Sequence, residues 1–147
     1  MSQLGESLKV VLADTFALYL KTHFYHFNVE GEDFYEYHKF FNKLYDELFG
    51  AFDAIGEHIR TLDEYTPASL GRFKDLTNIE DATTIPSGIE MARQLLADNQ
   101  KVIEALKNAL NAANEADNQG TANFIQDRLD IHAKHGWMLR STTKNRL

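Results

Sequence analysis

Apolar residues recur every three or four positions along most of this 147-residue chain, with few interruptions. That spacing marks amphipathic α-helix, because about 3.6 residues make one turn. Leu8, Val11, Leu12, Phe16, Leu20 and Phe24 form one stripe and predict a first helix from about Leu4 to Phe27. The segment NVEGED ends it, with Gly31 as the turn residue. A second helix is expected over 33–63, opened by Asp33 and Glu36 in the manner of a capping box. Its stripe runs through Phe34, Tyr37, Phe41, Leu44, Tyr45, Leu48, Phe52, Ile55 and Ile59. Phe40, Phe49 and Ala51 widen that stripe, so a second face of this helix is expected to be covered. Both prolines, Pro67 and Pro86, fall in TPASLGRFKDLTNIEDATTIPSG, which has room for one short helix near 68–73. A third long helix starts at Pro86 or Ser87 and passes Met91, Leu95, Val102, Leu106 and Leu110 to about Ala116. NEADNQG breaks the pattern at Gly120, and a last helix spans 121–141 with Phe124, Ile125, Leu129, Trp137 and Leu139 inward. The tail STTKNRL is short and polar.

Four long helices and one extended connection, residues 64–86, match the ferritin-like version of the four-helix bundle. The fold class is therefore all-α, with a short extra helix in the connection, and the length fits one domain over 1–147. A hydrophobic fraction of 44% supports a real core, and no apolar run approaches a membrane span. Zero cysteines exclude disulfides, thiolate metal sites and a cysteine nucleophile. The opening MSQLGESLKVVLADT lacks the apolar stretch of a signal peptide, so a cytoplasmic location is expected. A net charge of −7 disfavours a general nucleic-acid surface and suits a protein that attracts cations.

The candidate chemistry lies in His26, His38, Asp53 and Glu57. Asp53 and Glu57 are four apart and share a helix face. A tight turn at Gly31 brings His26 and His38 side by side. His38 and Asp53, however, are separated by 15 residues, or about 22 Å along the axis. Bonds from these ligands to first-row metals are only about 2 Å, so one chain cannot bring all four to one ion. Antiparallel pairing of the second helix with its copy, about an axis near residues 45–46, places His38 of one chain level with Asp53 of the other. An isologous dimer then makes two identical sites. Two imidazoles and two carboxylates suit Fe(II), with manganese or zinc as substitutes.

The stretch YHFNVEG, then YH at 37–38, then Asp53 and Glu57 in a D-x-x-x-E spacing, resembles the Dps family of bacterial miniferritins. FYEYHKFFNKLYDEL, TPASLGRF and KHGWML extend the resemblance over nearly the whole chain. It implies a dodecamer of two-fold dimers that binds Fe(II) at His26, His38, Asp53 and Glu57, oxidises it with hydrogen peroxide and stores the ferric product in a hollow shell. The chain has no E-x-x-H, the intrachain motif of the larger ferritins. Phe27 stands where the family often has Trp; Tyr25, Tyr35 and Tyr37 are alternative electron donors, with core packing as their simpler role. The resemblance also implies acidic iron-entry pores, for which Asp117, Asp127 and Asp130 are candidates, with Asn123 where an acid is common. His23 is an accessory candidate flanking the main site, and the H-x-x-H of His132 and His135 offers a second accessory metal pair, with surface or interface polar residues as its simpler reading. His58 points about 100° away from Glu57. Many relatives bind DNA through lysine-rich tails, but here the termini offer Lys9, inside the first helix, and only Lys144 and Arg146 at the other end. Twelve copies at −7 carry about −84, so DNA binding is expected to be weak or absent.

Overall fold

The computed structural model describes residues 2–144 and contains five helices. They are α1 (Gln3–Asn28), α2 (Phe34–Thr61), α3 (Leu70–Leu76), α4 (Gly88–Glu115) and α5 (Gln119–Thr143). Arg146, counted above in the tail charge, lies outside the described residues.

The all-α expectation holds, and the long helices differ from their predicted bounds by one or two residues at each end. Ser2 caps α1 by accepting from Gly5 N at 2.9 Å. Gly31, at φ 110°, makes the α1–α2 turn, as expected. The capping box does not form. Asp33 has φ −101° and ψ 27° rather than an extended backbone, and its side chain makes no cap hydrogen bond. The amide of Phe34 instead donates to the carbonyl of Gly31 at 3.1 Å. Asp63 cannot continue α2 because it sits in the left-handed region at φ 60°. The short helix lies two or three residues later than expected, because Ser69 is its cap and accepts from Arg72 N. Pro86 precedes the α4 cap, Ser87, and lies outside the helix. The α4–α5 break falls at Asp117, φ 52°, and Asn118, which caps α5. Gly120 is already helical.

Neighbouring long helices run antiparallel in the ring α1–α2–α5–α4. Lys21 of α1 meets Asp98 of α4, and Tyr25 meets Gln94. Across α2 and α5, Glu47 meets Arg128 while His58 meets Phe124. α2 and α4 therefore point the same way, and the connection between them must run back along the whole bundle, about 42 Å for a 28-residue helix. Thr77 and Asn78 in this connection donate to the buried Asp14 carboxylate of α1, both at 2.7 Å. Among the described residues, no helix is long and apolar enough to cross a membrane.

The core is built from Leu8, Val11, Leu12, Phe41, Leu48, Ile55, Met91, Leu95, Leu106 and Ile125, among others, all buried. Three residues expected inside are exposed: Leu20, Phe34 and Trp137. Trp137 shows why. The buried positions of α5 are 121, 122, 125, 128, 132, 135, 136 and 139, a stripe that advances by three- and four-residue steps from 121 through 125, 128, 132 and 135 to 139. Trp137 lies two residues from both 135 and 139, on the far side of the helix. The inward stripe is partly polar, and its members Arg128, His132 and His135 take places that hydrophobicity alone assigned elsewhere. The reading of both histidines as surface or interface residues is thus corrected.

Those histidines belong to a network linking α2, α4 and α5. Arg128 forms a two-pronged ion pair with Glu47, at 2.5 and 3.0 Å. It also donates to His132 Nε2 at 2.9 Å, and His132 Nδ1 donates to Asn99 Oδ1 at 2.8 Å. Both His132 nitrogens are thus committed in the neutral ring, and burial followed by Arg128 holds its pKa well below the usual histidine value. His135 falls to about 4, through burial first, opposed by Glu47 and assisted by Arg128, Lys134 and Lys43. Between pH 6.5 and about 4 the unfolded chain takes up a proton that folded His135 refuses. Stability is therefore present above pH 6.5 and lost as pH falls through this window, by on the order of 3 kcal/mol for His135 alone. Thermal melts from pH 7 to 4 should show the loss, and His135→Gln should flatten it. An unchanged slope in that variant would refute the assignment.

Candidate metal centre

His26 and His38 face each other at the α1–α2 corner, as the spacing predicts. His26 Nδ1 lies 2.8 Å from the carbonyl of His38, and His38 Nδ1 lies 2.8 Å from the carbonyl of His26. A carbonyl oxygen only accepts, so both Nδ1 atoms carry a proton, and in the neutral rings the lone pair lies on Nε2. A backbone partner on the second ring nitrogen is the usual way of fixing a histidine as a metal ligand. The two rings stack at 3.8 Å and 15°, and Phe34 stacks on the outer face of His38 at 5.0 Å. His26 is buried and His38 half-buried.

Asp53 and Glu57 sit toward the other end of α2. Both are exposed, and neither has a hydrogen-bond or ion-pair partner among the described residues. They edge a shallow hollow of about 250 Å³ floored by Leu12, Phe52 and Gly56. Among the described residues, no group of three or more His, Asp or Glu side chains comes together to hold a metal ion within one chain. The chain thus holds a histidine pair at one end of α2 and a carboxylate pair toward the other.

His23 flanks the histidine pair, and its ring is held by packing. It lies between Phe27, at 4.5 Å, and Tyr45, at 3.9 Å and 7°. Its Nδ1 is 2.9 Å from the hydroxyl of Tyr19. Burial, then the neighbouring His26, lowers its pKa. His58 turns away from Glu57, as expected, and stacks on Phe124 at 4.0 Å. Asp117, Asp127 and Asp130 are all exposed. Asp117 has a local role as well, forming the left-handed turn after α4 and accepting from Gln119 at 3.2 Å.

Of the three tyrosines whose simpler role is core packing, Tyr25 and Tyr37 pack as expected and Tyr35 does not. Tyr25 is buried and bonds Gln94 on α4. Tyr37 packs against Gly88, where an added Cβ would lie 2.7 Å from its ring. Tyr35 is 61% exposed, so core packing does not describe it. Tyr19 and Tyr45 are the phenols beside the histidines. Tyr45 meets His26 edge-on at 5.0 Å, and Tyr19 meets Tyr45 at 6.1 Å. The four-residue step from Tyr19 to His23 was a readable helical pairing. The place of Tyr45 depends on the register of α2 against α1.

A four-helix bundle whose second and third long helices are joined by one long crossover is the ferritin-like architecture. The family model described as a ferritin-like domain matches residues 6–146. Within that class the chain belongs to the Dps family. It is 32% identical over 130 residues to the DNA protection during starvation protein of Brevibacillus brevis, covering 88% of this chain and 87% of that one. It is 35% identical over 132 residues to a low temperature-induced protein of Nostoc sp., covering 88% and 74%. A crystal structure of a Dps protein from Bacillus brevis superposes with a TM-score of 0.92 at 30% identity, covering 96% of this chain and 95% of that chain. The Dps protein of Vibrio cholerae O1, described as a member of a broad superfamily of ferritin-like diiron-carboxylate proteins, superposes at 0.93 with 26% identity, covering 96% and 89%.

Proposed function

We propose that this protein is a peroxide-consuming ferroxidase and iron store whose sites form between two copies of the chain. The observation that carries the reading is the reciprocal hydrogen bonding of His26 and His38, which leaves two Nε2 lone pairs at one corner. Antiparallel pairing of α2 brings Asp53 and Glu57 of a second copy to that corner. An imidazole lone pair lies in its ring plane. Two nearly parallel planes, stacked at 3.8 Å, cannot both contain one ion at a bond length of about 2 Å. The stacked pair therefore addresses two neighbouring iron positions, and the carboxylates stabilise the ferric product as hard anionic ligands. Zinc or manganese would bind as substitutes. Exposed Phe49, one turn from the proposed axis, and exposed Leu20 and Leu70, beside an apolar groove of about 480 Å³, supply area for the pairing.

Asp53→Ala and Glu57→Ala should each abolish peroxide-dependent Fe(II) oxidation. Both residues are exposed, so the melting transition should move by less than about 0.5 kcal/mol. Full oxidation in either variant would remove the site. Twelve copies of the 16.8 kDa chain would give a particle of about 200 kDa, checked by light scattering.

A second reading is DNA protection, favoured by the names of relatives such as that of Brevibacillus brevis. The charge of −7 per chain weighs against direct binding to phosphate. A low-salt gel shift separates the two: retarded DNA supports the second reading, free DNA the first.

A further inference from the structure

We infer that Arg128 is a built-in cation: its guanidinium fills a metal-ion position at the centre of the bundle, with Glu47, His132 and His135 as the ligands, and so closes that position to divalent metals. The H-x-x-H of α5 is then a metal-ligand pair occupied from within. This position lies inside one chain, so the inference stands apart from the two-chain centre proposed above.

The geometry is that of ligands converging on a cation. Arg128 Nη2 lies 3.0 Å from Glu47 Oε1 and 2.9 Å from His132 Nε2. His135 Nε2 lies 3.7 Å from the same Glu47 oxygen. Two ligands of a four-coordinate zinc stand about 3.4 Å apart when each bond is about 2.1 Å. The His132 and His135 rings are 5.5 Å apart at 72°, close to the roughly 5 Å of two imidazoles on one such ion. His132 is also anchored as metal-bound histidines are. Its Nδ1 donates to Asn99 Oδ1, while Asn99 Nδ2 donates to the carbonyl of His132. Both rings are neutral near pH 7, the form in which imidazole binds a metal.

Arg128, His132 and His135 are all buried. Among the described residues no three such ligands close on one point, and here the guanidinium between them is the reason. Arg128 Nε is buried without a hydrogen-bond partner among the described residues. Only the Nη end, at the proposed metal position, is satisfied. With Arg128 in place, a divalent ion would bring two positive charges beside a buried guanidinium. Without it, a carboxylate and two imidazole lone pairs surround a space that a metal fills.

The test reads cobalt(II) absorption in chains that carry Asp53→Ala and Glu57→Ala, so that the two-chain centre is disabled in every sample. Adding Arg128→Ala to this parent should create the intense visible bands of a four-coordinate ion, at about one equivalent per chain. The parent should show none of these bands, and a further His135→Ala should remove them. The inference is overturned if folded Arg128→Ala gives no such bands, if the parent shows the same bands, or if they survive His135→Ala. Arg128→Ala that does not fold alone is refolded with zinc, and recovery of the helical circular dichroism supports the site. Failure of zinc to restore that fold overturns it.

Discussion

Mixing two inactive variants should restore activity. One variant lacks His26 and His38, replaced by Ala; the other carries Asp53→Ala and Glu57→Ala. Refolded alone, each should oxidise no iron with peroxide, because every site lacks one half. Refolded together, random pairing makes about half of the dimers mixed, and each mixed dimer holds one intact site and one doubly defective site. About a quarter of wild-type activity should return, by counting sites in a two-fold dimer. A site contained in one chain would give no recovery at all, since neither variant carries all four residues. The experiment thus tests the geometry directly: His38 and Asp53 are separated by 15 residues of one helix, and only a second copy closes that distance. Mixing after folding serves as the control, because preformed dimers that do not exchange should stay inactive.

Lys21→Met should be among the most destabilising single changes in the bundle. Lys21 Nζ lies 2.8 Å from Asp98 Oδ2 and 3.1 Å from the carbonyl of Glu80, and the Lys21 and Asp98 side chains are 8% and 6% exposed. Replacing the lysine by an apolar chain of similar length keeps the packing but strands a buried carboxylate between α1 and α4. Breaking one partner of such a pair costs about 3–5 kcal/mol. The double change Lys21→Met/Asp98→Leu removes the stranded charge and should recover most of the loss, because an apolar pair of similar volume often replaces a buried ion pair at little cost. Chemical denaturation of the three proteins decides the matter. A single variant as stable as wild type, or a double variant no better than the single, would mean the pair is solvated and contributes little.

Much of the proposed site is legible in the sequence because helix geometry is regular. The four-residue step from Asp53 to Glu57 and the short turn at Gly31 between His26 and His38 are facts of spacing, and rise per residue turns spacing into distance. The network of Glu47, Arg128, His132, Asn99 and His135 was not legible. Each member looks like a surface residue by composition, and only mutual satisfaction of their hydrogen bonds makes burial tolerable. For the same reason Trp137 was misplaced: its apolar character pointed inward while the register of α5 pointed it out.

The sequence by itself determined the number and extent of the long helices, the antiparallel α1–α2 hairpin, and the separation of the histidines from the carboxylates. All of these follow from local periodicity and from the fixed rise of the helix. Tertiary structure alone decided the rotation of each helix about its axis. That rotation put polar side chains at the centre of α5 and Tyr45 against His23, and it turned the Nδ1 protons of His26 and His38 onto each other's carbonyls. Rotation is set by how side chains from different helices fill and satisfy a shared space, so it is written in pairs of distant residues and not in any one segment.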